Sequence, residues 1–501
     1  MNLLEDPWIP VRAHVGTGEF RLLTYRELLC RPGTWLISLP RDDLELACLK
    51  LLISMTQIMF LPEDDDALED RIKKPLTDAE YDAGIAPCAD WFDLDHPTRP
   101  FMQTRGVKAK EATPIQKLLI GLPEGNNHCF FNQVGEVAGL SAPAPAAAIA
   151  LFNQAVNCPS FGGGFKGSLR GGAPITTLVD GSDLRQQIWH NVLTRKRIQS
   201  NLTDWDHDLA RDRPTWIDPI REKEKIPWNE IGLARGLFWQ PVHVELIRAD
   251  GPGPCGLIGT EEKHLYSGFR KEKFNFEING TWSHPHGSMQ ILLKKGKPEN
   301  KFASFTTSAP AWTRLTELVI HKELDDKEGN RPALPITQAG ELRIRPLHLL
   351  VGGYRNKQAS VLERRHELIS LAAGWDGEGR LKDLVDLGLA AKKALHGKLY
   401  FAVQGKQDKG LQGIAVPIHE TGERLFYAQM EALILDTFSD QATFHQWQER
   451  CSDYVDALAE HCRSIFEELT EPYAIKPELI PIIAWTKRSL NADLKKLKEN
   501  Q

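Results

Sequence analysis

Glycines at 374, 377 and 379 divide the chain into two stretches whose hydrophobic patterns differ. Three glycines this close together disfavour a continuing helix and mark a boundary. Beyond them the pattern has the helical period. Phe444, Trp447, Cys451, Tyr454, Val455, Leu458, Cys462, Ile465, Phe466 and Leu469 recur at spacings of three and four, which predicts one long amphipathic helix with a single apolar stripe. Leu381, Leu384 and Val385 open another helix, Leu425–Leu435 falls in a third, and Ile483, Leu490, Leu494 and Leu497 mark a last. Four amphipathic helices with short connections predict a four-helix bundle over residues 380–501. The aromatic and cysteine positions of the long stripe read as core packing rather than as a cofactor box, since each of them follows the stripe.

Residues 1–372 behave differently. Short apolar runs alternate there with Gly and Pro. Val242–Ile247, Phe274–Ile278 and Met289–Leu293 read as strands, and Asp42–Ile58 reads as a helix with Leu44, Ala47, Cys48, Leu51, Leu52 and Met55 on one face. The expectation is α+β: a large mixed N-terminal domain followed by the bundle. A length of 501 residues fits two domains, because single cores rarely serve more than roughly 250–300 residues. The chain is 42% hydrophobic and 26% charged, a balance that supports large soluble cores. No run reaches the ~18 apolar residues a membrane span needs. The opening MNLLEDPWIP places acids and a proline where a secretion signal needs an apolar run. Eight scattered cysteines, with no CxxC pair, suit reduced thiols and a cytoplasmic setting without membrane partners.

The usual catalytic patterns are missing. The segment FGGGFKGSLRGG (Phe161–Gly172) orders Lys166, Gly167 and Ser168 wrongly for a P-loop, in which Lys must follow Gly and precede Ser or Thr. No GxSxG or HExxH occurs, and His366–Glu367 and His419–Glu420 lack a second His one turn on. His284 and His286, in SHPHGS, read as a polar loop rather than a metal site, and Asp93, Asp95 and His96 form no fuller ligand set. Carboxylates brought together from distant positions into a nuclease site stay compatible with the residues alone, as does a pure scaffold.

A formal charge of -6 argues against coating nucleic acid by bulk charge, so any such contact must come from local patches. Several segments qualify. Six glycines in FGGGFKGSLRGG, interspersed with Lys166 and Arg170, let backbone N–H groups approach a phosphate or a groove floor. GFRKEKF (Gly268–Phe274) sets Arg270, Lys271 and Lys273 between aromatics, and Lys294, Lys295, Lys297 and Lys301 follow a strand. Arg355, Asn356, Lys357 and Gln358 come directly after what reads as a Gly-Gly turn, a mixture suited to base edges and phosphates. The glycine segment by itself reads slightly better as a mobile surface loop, and GFRKEKF and the lysine run read also as solvated faces.

The strings NLLEDPWIPV, SLPRDDLELA, PFMQTRGVKA, IALFNQA, FGGGFKGSLRGG, RGLFWQPVHVEL, FTTSAPAW and GGYRNKQASVLERRHEL occur in this order over nearly the whole first 370 residues. Together they resemble the CasA family, the large subunits of the type I-E CRISPR surveillance complex, Cascade. The helical part matches more loosely. The resemblance implies a non-catalytic subunit that binds no cofactor. Its partners would be the guide RNA (crRNA), the other Cascade subunits, double-stranded target DNA and a helicase-nuclease. It implies that Gly162, Gly163 and Gly164 approach the minor groove of a short motif beside the target, and that Lys273 enters the same groove. It implies that Gln358 acts as a wedge that splits the first target pair, and that Phe130 and Asn132 contact the handle of the guide RNA. Lys166, Arg170, Lys294 and Lys295 are expected as further contacts to the DNA backbone.

Two departures matter. Some relatives carry two cysteine pairs that could hold zinc, one in the region of LSAPAPAA and one near residues 254–256; this chain keeps Cys255 alone, so no metal is expected. Lys357 stands beside the wedge where a relative has Asn, which implies an added phosphate contact and a shifted motif preference.

Overall fold

A computed structural model describes residues 1–14, 18–109, 111–119, 140–172, 174–201, 207–254, 261–262, 264–325 and 327–499. The chain forms two compact units. The first comprises Met1–Ser308, His321–Leu342 and Leu349–Leu368; the second comprises Ala309–Ile320, Arg343–His348 and Ile369–Gln501.

Two helices form the centre of the first unit. Asp42–Met59 is buried on every side beyond its first turn, where one apolar face was expected. Leu46, Leu49, Ile53 and Ile58 fill the remaining sides, and a helix that is apolar all round belongs in an interior. Its longer polar residues are paired there, while the Ser54 hydroxyl is buried without a partner. Gln57 exchanges two hydrogen bonds with the backbone of Leu193, and Lys50 donates to Asn157 Oδ1 at 2.8 Å. Ala144–Val156 packs against this helix and is buried along its whole length.

The three expected strands form, at His243–Arg248, Phe276–Asn279 and Met289–Lys294. His243–Arg248 pairs antiparallel with Leu265–Glu272, placing Glu272 opposite His243. Another sheet orders Ser360–Leu371, Leu347–Lys357 and Thr176–Val179, with Gly352 opposite Thr176. The two long strands of this sheet are joined by Gln358 and Ala359 alone. The Gly-Gly turn expected before Arg355 does not exist. Gly352 and Gly353 lie inside Leu347–Lys357. A Cβ on Gly352 would stand 2.5 Å from a methyl of Leu46, and one on Gly353 2.8 Å from the carbonyl of Pro174. These glycines admit close neighbours; they do not reverse the chain.

In the second unit, helices Arg380–Gln404, Ile418–Ser439, Trp447–Thr470 and Ile480–Glu499 pack together. Gly379 caps the first of them at φ +72. The stripe expected to run unbroken from Phe444 is interrupted at Gln446. Phe444 belongs to a short helix, Gln441–His445, started by the side chain of Asp440, which accepts from Ala442 N. Cys451, Tyr454, Val455, Leu458, Cys462, Ile465 and Phe466 are buried as a core stripe should be. Ala309–Ile320, which sequence placed in the mixed domain, joins this unit. Trp312 lies against Gly388 and edge-on to Tyr427.

Candidate nucleic-acid interface

The glycine segment begins from an aromatic base. Phe161 lies 5.8 Å from Phe165 and 5.7 Å from Phe269, centroid to centroid. Lys271 Nζ sits 4.8 Å above the Phe161 ring, a cation–π contact that also covers the neighbouring rings. Between Phe161 and Phe165 the backbone turns through three consecutive left-handed residues, Gly162, Gly163 and Gly164, at φ +76, +56 and +86. An L-residue at such φ costs roughly 1–2 kcal/mol, so three in succession require glycine. At Gly163 a Cβ would meet nothing within 4 Å, so the constraint there is conformational and the backbone is open to solvent.

Two distant segments meet this loop. Lys273 follows strand Leu265–Glu272 and is exposed; its Nζ lies 3.8 Å from where a Cβ on Gly164 would stand. The tip of the Leu347–Lys357/Ser360–Leu371 hairpin comes from the other direction, with Ala359 Cβ 3.3 Å from the Cβ position of Gly162. Gln358 and Lys357 are exposed on that tip. Gln358 has φ +54, uncommon for a residue with a side chain, and its carbonyl accepts from Asn356 Nδ2. Asn356 Nδ2 is also 3.7 Å from the Cβ position of Gly172. The structure therefore gathers Gly162–Gly164, Lys273 and the Lys357–Ala359 tip into one exposed place. Lys166, also exposed, holds its Nζ 5.7 Å from the Phe276 ring.

Other expected residues lie elsewhere. Arg170 is 4% exposed and turned inward. Its guanidinium donates to Thr176 Oγ1 at 3.1 Å and to Asn157 Oδ1 at 2.9 Å, so the expectation of a DNA backbone contact is corrected. Burial pushes its pKa down to about 9. Lys294 and Lys295 stand at the tip of a different hairpin, Met289–Lys294/Lys297–Phe302, where Lys294 pairs with Glu299 at 3.0 Å. Phe130, Asn132 and Cys255 lie outside the described residues. His284 and His286 are not a surface loop: they are 4% and 1% exposed. Burial, then the charges of Lys50 and Arg170, hold both imidazoles well below the usual pKa. Among the described residues no group of three or more His, Cys, Asp or Glu could hold a metal, and no helix is long and apolar enough to cross a membrane.

The sequence reading missed Asn356 and Ala359 as neighbours of the glycine loop, and Lys271 as a cover for its aromatic base. Spacing carried no signal for the first two, which meet the loop from nearly two hundred residues away. The aromatics interleaved with GFRKEKF were the available hint for Lys271.

The family model for CRISPR-associated protein Cse1 matches residues 2–465, and the chain belongs to that family. The CRISPR-associated protein CasA/Cse1 of Thermus thermophilus is 24% identical over 447 residues, covering 82% of this chain and 80% of the relative. The crystal structure of Thermobifida fusca Cse1 aligns at TM-score 0.75 and 16% identity, over 100% of this chain and 98% of that one. Cse1 from Acidimicrobium ferrooxidans aligns at TM-score 0.73 and 15% identity, over 100% and 98%. A chain of a solved CRISPR RNA-guided surveillance complex aligns at TM-score 0.67 and 16% identity, over 98% and 99%. At these identities the solved structures speak for the fold.

Proposed function

We propose that this protein is the subunit of an RNA-guided surveillance complex that reads a short motif in double-stranded DNA and starts opening the duplex. The observation that carries the reading is the meeting of Gly162–Gly164, Lys273 and the Gln358 tip in one exposed place. Family membership adds support, as does the likeness to a chain of a solved RNA-guided surveillance complex. The other partners are the guide RNA, whose handle meets Phe130 and Asn132, the remaining Cascade subunits, and a helicase-nuclease that does the cutting. The protein itself is not an enzyme in this reading.

The chemistry follows from the residue types. An open glycine backbone and one lysine suit the minor groove, which separates A·T from G·C but barely registers orientation. Such a reader accepts several motifs and rejects others by steric conflict with the guanine amine. Unstacking one step costs a few kcal/mol. The RNA–DNA hybrid roughly replaces the lost DNA pairs, so a small wedge tips the balance. The Gln358 amide can hydrogen-bond to freed base edges while its stem fills the gap. Lys357, beside it, adds a phosphate contact.

The test compares Lys273→Ala and Gln358→Ala in the assembled complex, on intact duplex and on targets with strands already separated beside the motif. Lys273→Ala should weaken the first encounter with duplex on both targets. Gln358→Ala should bind early but open slowly, and the pre-separated target should rescue it. Equal rescue of the two would remove the wedge assignment.

A further inference from the structure

Behind the interface a buried chain of hydrogen bonds joins the exit of the glycine loop to the stem of the Gln358 hairpin. Arg170 Nη2 donates to Asn157 Oδ1 at 2.9 Å, and Asn157 Nδ2 donates to Asn153 Oδ1 at 2.9 Å. Asn153 Nδ2 donates to the Tyr354 hydroxyl at 2.7 Å, which donates to Asp43 Oδ2 at 2.8 Å. The Asp43 carboxylate also takes Arg41 at 2.7 Å, and Arg364 of the returning strand at 3.4 Å. From Arg170 to Asp43 the five members are 4%, 2%, 1%, 1% and 5% exposed, so water does not compete for these bonds.

The ends of the chain are placed for a task. Arg170 closes the glycine segment. Tyr354 lies in strand Leu347–Lys357, four residues before Gln358. The middle is rigid: Asn153 sits on the fully buried helix Ala144–Val156, Asn157 caps its end, and Asp43 opens helix Asp42–Met59. A second link runs beside the first, since Arg170 also donates to Thr176 Oγ1 and Thr176 pairs with Gly352. Every linking atom of this buried network is paired, with Arg170 Nε the one atom of its five side chains left without a partner, and such a network favours one geometry. The tyrosine hydroxyl is the narrow point, because it alone connects Asn153 to Asp43 by both accepting and donating.

We propose that this chain sets the spacing between the glycine loop and the Gln358 tip, with Tyr354 as its positioning residue, so that holding the motif places the wedge at the first pair beyond it. The inference rests on the motif-reading function above. It adds that recognition and opening are coupled through the protein interior rather than through DNA alone.

The test uses Tyr354→Phe in the complete RNA-loaded complex, a change that removes one oxygen and keeps the ring packing. Two quantities are read: affinity for a short duplex carrying the motif, and the rate of strand opening, followed by a fluorescent base at the first pair beyond it. Opening should slow about tenfold with motif affinity within about twofold, since a small misplacement of a positioned group is costly. A target with pre-separated strands should restore the rate of guide pairing. On a Gln358→Ala background, Tyr354→Phe should slow opening no further, because residues acting through one another are not additive. Should the Tyr354 variant not assemble, Asp43→Asn, which weakens the acceptor and keeps its shape, is read in the same way. An unchanged opening rate, an additive effect, or a parallel loss of motif affinity would overturn the proposal. Lys273→Ala and Gln358→Ala alone serve as the separate check. If neither alters binding or opening, the motif reading itself falls and this inference with it. If they do and Tyr354→Phe does not, the coupling alone is wrong.

Discussion

Lys166 and Arg170 stand four residues apart in one glycine-rich segment, yet Lys166 is exposed while Arg170 is enclosed by Thr176, Ile175, Val156 and Asn157. The two should therefore fail differently. Arg170→Ala removes several hydrogen bonds from a buried cation and leaves a cavity, which should cost about 2–4 kcal/mol of stability in the isolated chain with no DNA present. Lys166→Ala should change stability by less than about 0.5 kcal/mol. Its effect should show in DNA binding, where one lost phosphate contact lowers the salt-dependence slope by about 1. Denaturant unfolding and a salt titration of binding read the two; equal stability losses would mean that burial is not what separates them. The sequence could not have told them apart. Both are cations flanked by glycine, and the difference lies in long-range neighbours that local pattern does not encode. Gly162–Gly164 were legible for the opposite reason, since a run of glycines signals unusual φ wherever it folds.

At the scale of the element, the hairpin carrying Gln358 shows what alternation and punctuation can and cannot predict. Its strands were not read, because GGYRNKQ suggested a turn at Gly352–Gly353. The glycines instead let Leu46 and Pro174 approach, and the turn falls at Gln358–Ala359. That turn holds a glutamine at φ +54, where glycine would be at ease. Stability and function should then separate at this position. Gln358→Gly relieves roughly 1–2 kcal/mol of left-handed strain and pays back about 0.5–1 kcal/mol in backbone entropy. The variant should be as stable as the parent or slightly more so, while strand opening slows as in Gln358→Ala. Thermal unfolding beside an opening assay checks this. A variant that is clearly destabilised would mean that the side chain supports the turn, and a variant that opens DNA normally would mean that the amide is no wedge.

Across the whole molecule, the change of pattern at Gly374–Gly379 was legible because helical periodicity and glycine punctuation are local signals. The attachment of Ala309–Ile320 and Arg343–His348 to the helical unit was not, because contacts that skip part of the chain leave no periodic trace. The same blindness hid the polar interior of the mixed unit. His284 and His286 read as a polar loop, yet they are enclosed near Lys50 and Arg170, two buried basic side chains. This has a consequence for acid stability. The folded pKa of each imidazole is depressed, while the unfolded value stays near 6.5. Above that value neither state binds the proton and the pair contributes nothing to pH dependence. Below it the unfolded chain takes up protons that the folded one refuses, so stability falls as pH falls. Between about pH 7.5 and 5.5 each histidine should remove roughly 1 kcal/mol, and the two together roughly 2–3 kcal/mol. Burial shifts His190 and His243 in the same direction, and they add to the background slope. The measurement is the difference in unfolding free energy of the mixed unit between those two pH values, for the parent and for His284→Gln combined with His286→Gln. Whatever the variant loses at neutral pH, its acid-induced loss should be smaller than the parent's by roughly 2–3 kcal/mol. An unchanged difference would show that the two histidines take up protons without cost, and that the interior around Lys50 and Arg170 is wetter than its burial implies.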